Sequence, residues 1–257
     1  MCGLSATLQN PFKVGYQNNN TRSSGATMMA GTFAAVSASD GSYTLGDLSV
    51  SGYEAPIYDE DEGETQEGTG VIAGQFNIQF LSSSGTTESS YNFVDDGEHA
   101  KGWYDWSWNS ANDVAIPAGQ AMWIQGGGLK LVSAGAVNTS DIVKPTRSSG
   151  ATALGNGTPV DLTLGRLLVE GYTDPIYDED EGETQEGTGV IGGQFNVQFL
   201  SASGTTEASY NFVDDGEHVK GWYDWSWNSA NSVELPAGQG LWIQGGGLSL
   251  RVPAPEL

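Results

Sequence analysis

Residues 75–80 read QFNIQF, and the alternation puts Phe76, Ile78 and Phe80 on one side of an extended chain with Gln75, Asn77 and Gln79 on the other. A period of two with one apolar side predicts a half-buried β-strand. The polar run after it, SSSGTTESS (82–90), predicts a hairpin loop, with Tyr91 to Val94 as the returning strand. VDDGE (94–98) then predicts a turn, and GWYDWSWN (102–109) a central strand with Tyr104, Trp106 and Trp108 facing the core and Trp103 facing outward. Pro117 and Gly119 predict another turn, MWIQ (122–125) a strand, Gly126 to Gly128 a bend, and LKLV (129–132) the last strand. Weaker strand patterns lie near Gly31 to Val36 and Tyr43 to Tyr53. Leu4, Leu8, Phe12, Val14 and Tyr16 predict one or two more, interrupted by Pro11. Helical periodicity is not sustained anywhere, so the expected class is all-β, with the turn frequency of a sandwich or jelly roll.

This pattern occurs twice. TRSSGAT at Thr21 recurs at Thr146, and residues 58–112 and 177–231 differ only at Ala73/Gly192, Ile78/Val197, Ser83/Ala202, Ser89/Ala208 and Ala100/Val219. A repeat of roughly 120 residues has the size of a domain rather than of a solenoid unit. The expectation is two tandem β-sandwich or jelly-roll-like domains from an internal duplication, residues 1–131 and 132–257, joined within VSAGAVNTSD (132–141).

Each copy contains YDEDEGETQEGTG, at 58–70 and unchanged at 177–189. Carboxylates this dense repel one another unless solvent or a cation compensates. The expectation is a hard cation, Ca²⁺, held by Asp59, Asp61, Glu62, Glu64 and Glu67, with Asp95 and Asp96 completing the site. In the second copy the same ligands are Asp178, Asp180, Glu181, Glu183, Glu186, Asp214 and Asp215. The spacing is not that of an EF-hand, and a solvated acidic loop is the competing explanation. The Asp-Gly pair in VDDGE equally suits a plain turn.

All eight tryptophans lie in the repeats. Trp103, Trp123, Trp222 and Trp242 are the candidates for ligand or subunit contact, as outward-facing indoles that stack on a sugar ring or anchor a neighbour. His99 and Lys101, with His218 and Lys220, stand beside Asp95, Asp96 and their counterparts, which predicts partly buried ion pairs.

Nine Lys plus Arg against 32 Asp plus Glu leave a net charge of −23, which disfavours nucleic acid and anionic membrane surfaces. No membrane-spanning run and no disulfide framework is visible, Cys2 being the single cysteine. Nucleophile elbows, zinc-protease helices, phosphate loops and dinucleotide fingerprints are all missing, so an enzyme is not expected. The leading expectation is an extracellular or cell-surface structural protein that assembles with copies of itself into a filament or layer, stabilised by Ca²⁺. SATLQNPFKVGY (5–16) would add to the sheet edge of the next subunit. The alternative is a tandem, calcium-supported carbohydrate-binding module whose partner is a polysaccharide. An adhesin-like spacer that does not self-associate is a third possibility.

Overall fold

A computed structural model describes residues 14–34, 42–82, 84–201 and 203–256. The first repeat contributes β1 (Val14–Asn20), β2 (Ala26–Ala30), β3 (Phe33–Ala34), β4 (Leu48–Ser51), β5 (Tyr58–Asp59), β6 (Glu64–Thr65), β7 (Asn77–Leu81), β8 (Thr87–Val94), β9 (Gly102–Tyr104), β10 (Ala121–Gln125) and β11 (Lys130–Val137). The second contributes β12 (Ile142–Pro145), β13 (Ala151–Gly155), β14 (Leu162–Thr163), β15 (Leu168–Glu170), β16 (Tyr177–Asp178), β17 (Glu183–Thr184), β18 (Phe195–Leu200), β19 (Thr206–Val213), β20 (Gly221–Tyr223), β21 (Glu234–Leu235), β22 (Gly240–Gly245) and β23 (Ser249–Val252). Among the described residues the only helical pieces are two single 3-10 turns, Leu45–Asp47 and Leu164–Arg166. The all-β class is as the alternation predicts.

Each repeat is sandwich-like. In the first, a five-stranded sheet in the order β2-β10-β7-β8-β9 faces a sheet in which β11 pairs with β1, β3 and β4. The second repeats the five-stranded order as β13-β22-β18-β19-β20, opposite β12-β23-β15. Every ladder between these strands is antiparallel, which short turns permit. Phe76, Ile78 and Phe80 point inward from the β7 segment and meet Leu48, Val50 and Leu131 of the facing sheet. Phe195, Val197, Leu250 and Val252 build the equivalent second core.

The side of β7 expected to meet water is partly covered: Asn77 is buried and Gln79 half-buried. Trp123 on β10 lies opposite Gln79 of β7 and Met28 of β2. There Met28, Leu81 and Ala121 form one apolar cluster with Ala153 and Leu200 of the second repeat, and Trp123 and Trp242 pack against it. The outer faces of the two five-stranded sheets thus cover each other. Ala30 N–H donates to the Gly238 carbonyl at 2.8 Å, and the Gln17 side-chain amide donates to the Ala237 carbonyl at 2.7 Å.

Three local expectations are corrected. GWYDWSWN is not a central strand: β9 ends at Tyr104, is an edge strand, and gives way to a turn. Its sides are also exchanged, because Trp103 and Trp222 are 1% exposed in the cores while Trp106 and Trp108 are 64% and 49% exposed. Val14 to Tyr16 belong to β1, which pairs with β11 of the same chain, Val14 opposite Ala136, and residues 5–13 of the segment expected to reach the next subunit lie outside the described residues. The expected join at 132–141 is strand as far as Val137, leaving 138–141 as the connection to β12.

Candidate functional site

The turn that ends β9 is built by one carboxylate. Asp105 Oδ1 accepts the backbone N–H groups of Ser107 at 2.8 Å and Asn109 at 2.9 Å, while Oδ2 accepts the Asn109 side-chain amide at 2.9 Å. Trp108 N–H donates to the Asp105 carbonyl at 3.1 Å, closing the turn. The closure drives Trp108 to φ +63°, and Trp227 at the same place in the second repeat has the same φ. A left-handed conformation costs a bulky L-residue about 1–2 kcal/mol. Its presence in both repeats marks a place where the fold holds an indole against backbone preference.

A second carboxylate fixes what lies on that indole. Asp96 Oδ1 accepts the N–H groups of Glu98 at 3.1 Å and His99 at 2.8 Å, and His99 Nδ1 donates to Oδ2 at 2.9 Å. The imidazole so held stacks on Trp108, with centroids 4.4 Å apart and planes 20° apart; the His218–Trp227 pair has 4.6 Å and 19°. Tyr104 closes the group, 5.9 Å from Trp108, and its hydroxyl donates to the Ala100 carbonyl at 2.5 Å. Beside it Trp106 stands free in solvent, as Trp225 does in the second repeat. There Gly192, Asn211, Val213, Tyr223, Asp224, Trp225 and Trp227 line an open cavity of about 160 Å³.

The candidates singled out in the sequence are placed differently. Trp103 and Trp222 are core residues and present no surface to a ligand or subunit; Trp123 and Trp242 are partly buried where the repeats meet. The acidic stretch folds as the β5–β6 hairpin, in which Asp59 Oδ1 accepts the N–H groups of Asp61 at 2.9 Å and Glu62 at 3.2 Å, and all six of its carboxylates are exposed. Its side chains do not converge at metal-ligand spacing. Among the described residues the groups that do are Asp96–Glu98–His99 and Asp215–Glu217–His218. An imidazole is a poor partner for Ca²⁺, which takes oxygen ligands. Asp95 already has partners, Lys101 Nζ at 2.9 Å and the Tyr53 hydroxyl at 2.6 Å; Asp214 has Lys220 at 2.8 Å and Tyr172. Hydrogen bonds to Asp214 and Tyr172 push the Lys220 ammonium up to about 12. The His–Asp and Lys–Asp pairs thus form where the sequence placed them.

Trp106, Trp108, Trp225 and Trp227 are the site residues that alternation alone assigns to the core. The signal that finds them is Asp105, followed two and four residues later by Ser107 and Asn109, an Asx-turn pattern that interrupts a strand.

Both supporting carboxylates titrate low. Bonds from the Asn109 side chain, Asn109 N–H and Ser107 N–H hold Asp105 below the usual carboxylate range. Burial pushes Asp96 up, but bonds from His99 N–H, its ring and Glu98 N–H outweigh it and hold it low as well. Groups depressed by folding stabilise fully above their unfolded value, about 3.9 for Asp, and lose that contribution as pH falls through the folded value. The turn is therefore expected to stay intact at neutral pH and to loosen below about pH 4. Tryptophan fluorescence should show an acid transition there, and in the Asp105→Asn, Asp224→Asn double variant that transition should shrink.

Compared with models of protein families, with curated proteins and with solved structures, the chain has no match.

Proposed function

We propose that the chain is a two-site carbohydrate-binding protein of the extracellular or cell-surface environment, with Trp106 and Trp108 as the platform of one site and Trp225 and Trp227 as that of the other. The observation that supports this most is the pair of exposed indoles per repeat, one of them held at positive φ and backed by a stacked histidine. A rigid indole offers apolar area at little entropic cost, and Asp105, Asn109 and Tyr104 place polar atoms around it. Stacking on nucleic-acid bases or binding of acidic glycans is opposed by the net charge of −23, which leaves neutral polysaccharides as the partner class.

The test is affinity electrophoresis and calorimetry with soluble neutral polysaccharides. Alanine at Trp106 and Trp108 together with Trp225 and Trp227 is expected to lower affinity at least a hundredfold, with the thermal midpoint within a few degrees of the parent. Unchanged binding by that variant, or no binding by the parent to any neutral glycan, would exclude the platform.

A second function draws on the same patches: two equivalent aromatic surfaces on one chain could propagate a head-to-tail contact into a filament or layer. A cation shared between the exposed acidic hairpins of two copies belongs to this proposal, since the carboxylates of a single hairpin do not converge on one point. Sedimentation velocity with Ca²⁺ and after chelation checks it, since calcium-dependent growth in size supports assembly and a single monomer boundary in both conditions removes it.

A further inference from the structure

A cleft lies where the two repeats meet. Its floor is the outer face of the first five-stranded sheet, where Trp123 has Met28 on one side and Gln79 on the other, and Gln125, two residues on, has Ala26 and Asn77. Its far wall is a hairpin tip of the second repeat, Ser203 and Gly204, and the space between is about 290 Å³. Sites for small ligands start near that size, at about 300 Å³.

The cleft presents polar groups that solvent reaches. Thr87, Gln125 and Ser203 are exposed, and Gln79 and Trp123 are half-buried. The Thr87 hydroxyl donates to Gln79 Oε1 at 3.1 Å, the Gln79 amide to Asn77 Oδ1 at 3.4 Å, and the Asn77 amide to Gln125 Oε1 at 3.4 Å. This relay runs one way and ends on the Gln125 oxygen, so it orients the carboxamides and leaves the Gln125 amide donors for an occupant. None of the residues lining the cleft is ionisable. An indole beside uncharged carboxamides and hydroxyls suits a neutral ring that is apolar on its face and hydroxylated at its edge, which is the chemistry of a pyranose.

The second repeat has the same residue types around Trp242, where Thr206 donates to Gln198 at 3.1 Å and Gln198 to Asn196 at 3.2 Å. That indole is covered more closely. A Cβ on Gly85, in the opposing hairpin, would stand 2.8 Å from Trp242 Cζ2, against 3.7 Å between a Cβ on Gly204 and Trp123 Cζ2. Trp242 Nε1 is buried without a partner among the described residues. Met28 stands across from Trp123 and only Ala153 across from Trp242, so the wider gap goes with the bulkier neighbour.

We infer that the cleft at Trp123 is a third binding site, for one or two rings of a neutral sugar, and that it exists only while the repeats are apposed. An occupant then favours the apposed state by mass action. The site uses none of the platform residues and does not rest on them.

The experiment removes the platforms first. In the full chain with alanine at Trp106, Trp108, Trp225 and Trp227, the indole N–H resonances of the remaining tryptophans are followed by NMR during titration with the β-1,4 and the α-1,4 glucose disaccharides. Trp123→Phe identifies the Trp123 signal. The expected result is a saturable shift of that signal with at least one disaccharide, while the Trp242 signal stays in place. Thr87→Ala with Gln125→Ala should weaken this binding about tenfold or more at an unchanged thermal midpoint, because both side chains are exposed. The counterpart pair, Thr206→Ala with Gln244→Ala, should leave it unchanged. Gly240→Leu, which drives a side chain into Met28 across the junction, should abolish it. No saturable shift of Trp123 with either sugar overturns the inference, and so does equal weakening by the two double variants. Binding retained in a Gly240→Leu chain whose repeats have separated overturns the shared site. With the platform indoles absent from the assay, its failure is distinct from a failure of polysaccharide binding at those indoles.

Discussion

Trp222→Ala is expected to unfold the second repeat well below the parent's thermal midpoint, by more than 10 °C in a calorimetric scan. The indole is buried in the core, edge-on to Phe212 at 5.4 Å and tilted against Phe195 at 6.1 Å. Removing such a side chain costs about 3–5 kcal/mol through lost transfer energy and the cavity left behind. Domains of this size hold only about 5–15 kcal/mol in all. The backbone N–H of Trp222 also donates to Asn231 Oδ1 at 2.8 Å, and that bond survives the substitution, so the loss reads packing alone. Trp222→Phe separates the terms further. The indole Nε1 has no hydrogen-bond partner among the described residues, and phenylalanine removes that unpaired donor while retaining most of the aromatic contact. An unsatisfied buried group costs about 1–3 kcal/mol, so phenylalanine should cost far less than alanine. By contrast Trp225→Ala, on a side chain that is mostly solvated, should stay within about 0.5 kcal/mol of the parent. A large loss at Trp225 and a small one at Trp222 would reverse the assignment of core and platform.

That contrast is also where the sequence was least legible. QFNIQF, the returning strand at 91–94, MWIQ and LKLV carry their period in the side chains themselves, and the structure has strands at each. Between Trp103 and Trp108 the same alternation misleads, because Asp105 captures the next backbone donors and stops β9 after Tyr104. Period-two counting assumes that the strand continues. The acidic stretch misleads in another way: Asp59 serves its own turn, so carboxylates that are dense in sequence point apart in space. On the outer face of the first five-stranded sheet Leu81 and Ala121 meet Ala153 and Leu200 of the second repeat, a contact between distant parts of the chain of which local alternation gives no sign.

Gly240→Leu is expected to separate the two repeats. A Cβ at Gly240 would stand 2.5 Å from Met28 Cγ and 3.1 Å from the Met28 and Met29 backbone, and one at Gly155 would stand 2.4 Å from the Ala30 Cβ and 2.6 Å from the Gln239 carbonyl. Neither glycine has a positive φ, so closeness of approach is what excludes a side chain there. Overpacking a well-fitted contact costs typically 1–3 kcal/mol, and here part of what is struck is backbone, which cannot swing aside. The substitution should therefore open the Ala30–Gly238 hydrogen bond and the cluster of Met28, Leu81, Ala121, Ala153 and Leu200 while leaving the two cores closed. Small-angle scattering should show a larger radius of gyration, and a calorimetric trace with one coupled transition should split into two. The pairing is also directional. Where the first repeat has Met28 and Ala121, the second has Ala153 and Gly240, so the methionine of one sits against the glycine of the other. Two first repeats would set Met28 against the alanine at 121, with a methyl where Gly240 leaves none. An isolated first repeat is therefore expected to bind an isolated second repeat more tightly than it binds itself, and mixing experiments on the two separate halves check this. Equal self-association and cross-association would mean that the Met28–Gly240 fit does not select the partner.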